Sequence, residues 1–272
     1  MRITRKEIAN LIVLKLEENK SILKEKFLET KDTIGYFFVD DLLPEKYALD
    51  IYNSFPNTEE TVLRRSLKEY KYTAFQMDKY NPLLEEVIYA FQEKQVVEKI
   101  AEICEINNLH PDDSIYAGGL SIMTKNNFLK PHLDNSHDKN REKWRVLNLL
   151  FYVSPNWEKV YGGNLEIWPK GLKENSVEIF SKFNRLIVMA THQRSWHSVN
   201  KVKVDKNRCC VSNYYFSETA NSLSDNFHVT SFRGRPKEFF LDFILKTDNK
   251  LRMTVRKFFK KGIKENPHQY KK

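Results

Sequence analysis

The chain has 272 residues, 45 Lys and Arg against 36 Asp and Glu, an apolar fraction of 41%, and 18 Phe with 13 Tyr. That length and apolar content suffice for a packed core and exclude a disordered chain, and no apolar run has the length a membrane-crossing helix needs. Three cysteines, Cys104, Cys209 and Cys210, are too few for a disulfide framework, and the opening residues lead into charge rather than a signal-peptide core, so a cytoplasmic setting is expected. Most of the +9 net charge is local. Residues 251–272 hold eight lysines and arginines against Glu265, a net of +7, and the rest is nearly neutral. A nucleic-acid surface is therefore not indicated.

In chain order, Ile8, Leu11, Ile12, Leu16, Leu23 and Phe27 recur at helical spacing and predict an opening amphipathic helix. Residues 34–40 read as a strand, and Asp41-Leu-Leu-Pro44 opens a helix toward Phe55. A further helix is predicted from Pro82 to Asn107, with Leu83, Leu84, Val87, Ile88 and Phe91 on one side, ended by Pro111. From Ser114 the periodicity shortens. Strands are predicted at Ser114–Thr124, Arg145–Ser154, Asn164–Trp168, Arg185–Ala190 and Arg208–Phe216, separated by turn chemistry such as Pro155-Asn156 and Gly162-Gly163. Short strands without intervening helices predict antiparallel sheets closed as a roll. Helices are expected at 236–247 and 250–264. The expected class is mainly β with helical additions. Residues 1–113 pack on a core at 114–218, and 219–272 form a basic helical extension, all in one domain.

The chemistry concentrates in His132-Leu-Asp134, His197 and Arg208. Residues 132 and 134 share parity on a strand, so both side chains converge on one point, with His197 arriving from a later strand. Two histidines and a carboxylate suit iron(II) and leave open positions, while the lack of a cysteine pair nearby speaks against structural zinc. An arginine in the next strand has the fork that clamps a carboxylate. A His-x-Asp triplet alone is common, and His197 alone could be a core histidine; the order of the set carries the weight.

That ordered text resembles the iron(II)/2-oxoglutarate-dependent dioxygenases of the prolyl-4-hydroxylase type. The matching segments are Pro131-His-Leu-Asp-Asn135, Leu149-Leu-Phe-Tyr-Val-Ser-Pro-Asn-Trp157, Tyr161-Gly-Gly-Asn-Leu-Glu-Ile-Trp-Pro-Lys-Gly171, Phe183-Asn-Arg-Leu-Ile-Val-Met-Ala190, and His197-Ser-Val199 leading to Arg208. The resemblance covers about residues 34–217 and implies a double-stranded β-helix (jelly roll). It implies iron(II) held by His132, Asp134 and His197, 2-oxoglutarate as co-substrate with its distal carboxylate on Arg208, dioxygen, and ascorbate as an accessory reductant. Ser212 and Tyr214 share the parity of Arg208 and are expected inside the roll, Ser212 toward the co-substrate and Tyr214 toward the substrate. Relatives often place a tyrosine where Phe151 or Ile122 falls; Phe151 cannot donate, and Tyr152 serves instead if the register lies one residue on. Asn135, Asp138, Arg141, Arg145 and Trp196 are further candidates for substrate contact. The carboxylate at Asp134 favours hydroxylation over halogenation, since related halogenases have a small residue there.

The expected function is hydroxylation of an unactivated C–H in a small biosynthetic substrate, an amino acid, a sugar or similar, with decarboxylation of 2-oxoglutarate to succinate. A peptidyl-prolyl target is the alternative within the class; a non-catalytic interaction or sensor barrel is the alternative outside it. In the basic terminus Leu251, Val255, Phe258, Phe259 and Ile263 alternate with cations as in an amphipathic helix. The simpler expectation is a helix docked on the roll with its charges in water. The others are contact with an acidic membrane surface or an anionic substrate carrier.

Overall fold

The computed structural model describes residues 3–116, 118–259 and 269–270. A capping box at Thr4 and Glu7 starts α1 (Arg5–Glu18). The helix expected to run on to Phe27 breaks at Asn19, whose side-chain amide donates to the Lys15 carbonyl, and resumes as α2 (Lys20–Thr30). The predicted stripe is buried all the same at Ile8, Ile12, Leu16, Leu23 and Phe27. β1 (Tyr36–Val39) and α3 (Glu45–Asn53) lie inside their expected ranges.

β2 (Val62–Arg65) and β3 (Glu69–Ala74) form a hairpin that the sequence pattern does not announce. Val62 and Leu63 are both exposed, so no apolar/polar alternation marks it. One long predicted helix is in fact two, α4 (Pro82–Ala90) and α5 (Lys94–Cys104). No proline or glycine divides them. The corner is tied to the sheet instead: the Gln92 amide donates to the Asp112 carbonyl and the Asn213 side chain, and the Tyr215 hydroxyl donates to the Phe91 carbonyl.

The remaining strands are β4 (His110–Pro111), β5 (Gly119–Met123), β6 (Phe128–Leu133), β7 (Trp144–Tyr152), β8 (Leu165–Ile167), β9 (Val177–Ile179), β10 (Arg185–Ala190), β11 (His197–Val199), β12 (Arg208–Ser217) and β13 (Ser231–Phe232). They pair antiparallel in the order β1-β10-β7-β12-β5-β3-β6-β11-β8-β9, the curled sheet of the expected jelly roll with helices flanking it. The strand predicted from Ser114 starts only at Gly119, because Ile115 sits at φ 47°, outside any strand conformation.

Register on two strands sets up the site. Cys210, Ser212 and Tyr214 of β12 face Tyr152, Leu150 and Asn148 of β7, and all six line the central cavity with Arg208. The alternate residues Val211, Leu149 and Phe151 point the other way, into the apolar core shared with α1, α4 and α5.

α6 (Phe239–Phe258) replaces the two helices expected at 236–247 and 250–264, whose end falls outside the described residues. Asp248 and Asn249 do not interrupt it. Asp248 pairs with Lys68 and Arg252, and Asn249 exchanges hydrogen bonds with the Phe232 main chain. The helix docks with Lys246, Lys250 and Lys257 in water, as the simpler expectation has it, but most of its apolar residues are not on the docked side. Buried Leu245 and the polar residues Asp242, Asp248 and Asn249 fasten α6 to the roll, while Phe240, Phe243, Leu251 and Phe258 face out.

Candidate active site

His132 lies near the end of β6 and Asp134 just beyond it; His197 opens β11 and is the register partner of His132. One ligand atom from each lies within 4.8 Å of the others, and all three residues are buried. His132 Nε2 is 3.7 Å from Asp134 Oδ1, and His197 Nε2 is 3.6 Å from Asp134 Oδ2. The outer ring nitrogens are committed: His132 Nδ1 donates to the Lys130 carbonyl at 3.0 Å, and His197 Nδ1 to the Ser195 carbonyl at 2.9 Å. Carbonyls only accept, so each Nδ1 carries the proton and each Nε2 lone pair is turned inward. Burial, helped by neighbouring His197, drives His132 down to about 3, which keeps it neutral. Burial works to raise the Asp134 carboxyl, but His197, Arg145 and His132 outweigh it and hold it below the ordinary carboxylate range. Two inward lone pairs and one carboxylate fit a divalent metal, with each histidine oriented by a backbone partner.

Arg208 is nearly inaccessible, yet its Nε has no hydrogen-bond partner, and one Nη sits 2.9 Å from Met123 Sδ. A buried guanidinium in that state suits an incoming carboxylate. Gly163 makes room for it: a Cβ there would lie 2.9 Å from Arg208 Cδ, and φ is +69°. Gly163, read only as part of a turn, thus backs the Arg208 side chain. Tyr152 places its ring 5.1 Å from the Arg208 guanidinium. Phe151 instead packs on Phe91, and Ile122 joins the same apolar core. The inward tyrosine is the one at 152, and burial pushes its hydroxyl well above its ordinary value, so it is a neutral donor.

A cavity of about 360 Å³ joins the triad to Arg208, Tyr152, Ser212, Tyr214, Asn135 and Arg145. Trp196 is not among the residues lining it; Arg233 lies over its ring at 5.7 Å. Strand parity explains this, since Trp196 precedes His197 and points away. Asp138 and Arg141 are also elsewhere. Asp138 accepts from the Glu142 and Lys143 N–H groups within its turn, and Arg141 covers the Phe227 ring. Asn148 and Cys210 line the cavity without having been singled out, although their parity with Tyr152 and Arg208 marks them. Asn148 donates to Asp134 Oδ2 at 3.4 Å. Among the described residues the other histidines join no second metal-binding cluster.

A curled antiparallel roll with a His/Asp/His centre and a buried arginine is the architecture of a metal-dependent oxygenase. Residues 118–216 match the family model of the 2OG-Fe(II) oxygenase superfamily. The chain therefore carries a 2OG-Fe(II) oxygenase domain and is a dioxygenase by it, with iron(II) and 2-oxoglutarate as the family's metal and co-substrate. The fold is similar to a Pseudomonas putida prolyl-4-hydroxylase, at 13% identity and TM-score 0.53 over 72% of this chain and 98% of that one. It is also similar to a prolyl 4-hydroxylase of Phytophthora capsici, at 14% identity and TM-score 0.54 over 94% and 80%. A third similar structure is an oxidoreductase of the 2OG-Fe(II) oxygenase family from Burkholderia pseudomallei, at 12% identity and TM-score 0.50 over 74% and 92%. No curated protein matches the chain.

Proposed function

We propose that the protein hydroxylates an unactivated C–H bond of a small biosynthetic molecule, converting 2-oxoglutarate to succinate. The observation that carries this reading is the triad itself: His132, Asp134 and His197 gather their ligand atoms within 4.8 Å, with both Nδ1 protons tied back to carbonyls. When bound, iron(II) with 2-oxoglutarate activates dioxygen and supplies the oxidising power.

The chain's own part is positioning. The three ligands would hold the metal and leave the remaining positions to co-substrate and oxygen. Arg208 would take the distal carboxylate, with the neutral Tyr152 hydroxyl and Ser212 as neighbouring donors. Asn148 steadies Asp134, and Asn135, Arg145 and Tyr214 line the substrate side. The carboxylate of Asp134 occupies a ligand position that a halide would otherwise need, which favours hydroxylation. A prolyl residue in a peptide is the second reading, prompted by the two prolyl 4-hydroxylases of similar fold.

Anaerobic addition of iron(II) and then 2-oxoglutarate should produce the visible absorption of the chelate, and a succinate-release screen should identify the substrate. A His132→Ala protein that keeps its fold and its full activity overturns the assignment.

The partner of α6 belongs to the same reading. Its outward Phe240, Phe243, Leu251 and Phe258 are bordered by exposed Lys246, Lys250 and Lys257. Aromatic rings edged by lysine suit an acidic lipid surface.

A further inference from the structure

We propose that the cavity contains a second anion position, built on Arg145 with Asn148 and Tyr214, and that it takes a carboxylate of the substrate. This deepens the oxygenase reading above, on which it rests: the molecule oxidised is a small organic acid.

Arg145 is placed by β7, with its side chain only 2% exposed. Its Nε and Nη2 have no hydrogen-bond partner. Its Nη1 approaches Asp134 Oδ1 only to 3.9 Å, beyond hydrogen-bond range. The guanidinium lies over the Tyr214 ring at 4.2 Å, a contact that fixes its plane and uses none of its N–H donors. A buried guanidinium with idle donors is costly unless a ligand completes it.

Charge balance points the same way. With metal and co-substrate in place, Asp134 and the two carboxylates of 2-oxoglutarate offset the dication and Arg208. Lys71, also on the cavity wall, has its own partner in Glu69 at 3.3 Å. Arg145 then shares its one nearby carboxylate, Asp134 at 3.9 Å, with the metal, and a negative charge arriving with the substrate would complete its pairing.

Asn148 adds a second element of recognition. Its amide nitrogen is engaged with Asp134 and the Tyr214 hydroxyl, while its Oδ1 is buried and accepts nothing. A donor beside a free acceptor matches a carboxylate carrying a neighbouring N–H or O–H, as in an amino or hydroxy acid.

The test uses the full chain loaded with zinc(II) and saturating 2-oxoglutarate, which cannot turn over. Acetate and its uncharged isostere acetamide are titrated in, and binding is read by saturation-transfer NMR. We expect one saturable acetate site in the wild type, weakened at least about tenfold by Arg145→Gln and largely kept by Arg145→Lys. Acetamide should show no such site, and uptake of 2-oxoglutarate should be similar in all three proteins. Absence of the acetate site in the wild type overturns the proposal, as does equal binding of acetate and acetamide or equal binding by Arg145→Gln. Loss of 2-oxoglutarate with Arg145→Gln also overturns it, since Arg145 would then serve the triad or the co-substrate. If the wild type itself takes up no 2-oxoglutarate, the oxygenase reading falls, and this one with it.

Discussion

His132 and His197 face each other as register partners, ring centroids 4.1 Å apart, and each ties its Nδ1 to the carbonyl two residues before it. The same local device on two strands turns both Nε2 atoms toward Asp134. Two imidazoles and a carboxylate, buried together, form a site that gains most from a dication.

Divalent metal should therefore stabilise the fold. At a concentration 100 times its dissociation constant, a bound metal contributes about 2.7 kcal/mol, which raises the melting temperature by several degrees. Chelator should reverse the shift, and Asp134→Ala should not show it. Differential scanning calorimetry with and without metal checks this.

Arg208 and Gly163 should act together on the co-substrate. Arg208→Gln removes charged hydrogen bonds of about 1.5–3 kcal/mol and should raise the KM for 2-oxoglutarate roughly 10- to 100-fold while metal affinity holds. Gly163→Ala places a methyl against Arg208 Cδ at a backbone angle that strains any side chain. It should give a milder rise in the same KM, read from succinate release against co-substrate concentration.

The base of α6 should loosen in acid. Burial would raise the Asp242 carboxyl, but Arg233, Lys246 and the Gly234 N–H prevail and hold it at about 2. A depressed carboxyl stabilises the fold above its ordinary value, near 3.8, and that contribution fades as pH falls toward 2. Because Arg233 also covers Trp196, indole emission should change across that window. Asp242→Asn should lose the stabilisation at neutral pH and flatten the acid transition.

Acidic vesicles should capture the protein through α6. Binding should weaken with salt and with Phe243→Ser or Phe258→Ser, and neutral vesicles should bind little. Co-sedimentation with phosphatidylserine-containing and phosphatidylcholine-only vesicles distinguishes the cases, and indifference to lipid charge would sink the idea.

Much of this arrangement is legible in the residues. The range of β10 matches its expected span, and Ser212 and Tyr214 line the cavity as their parity with Arg208 requires. Other features escape because they are settled by tertiary partners. Phe151 and Tyr152 are equally plausible inward residues until the pairing with β12 fixes the register, and one step exchanges their faces. The corner between α4 and α5 depends on Gln92 meeting Asp112 and Asn213, residues remote in sequence. α6 shows an amphipathic pattern without revealing which side docks, because beside Leu245 its fastening to the roll is largely polar.

The inward row of β12 also places a thiol, Cys210, among the residues that line the oxygen-activating cavity. A thiolate there would be the first casualty of any reaction cycle that misfires. Burial pushes the Cys210 thiol up to about 11, despite the nearby Arg208, so the group rests as the less reactive thiol at neutral pH. The burial that closes this chamber to solvent thereby also guards part of its own wall against oxidation.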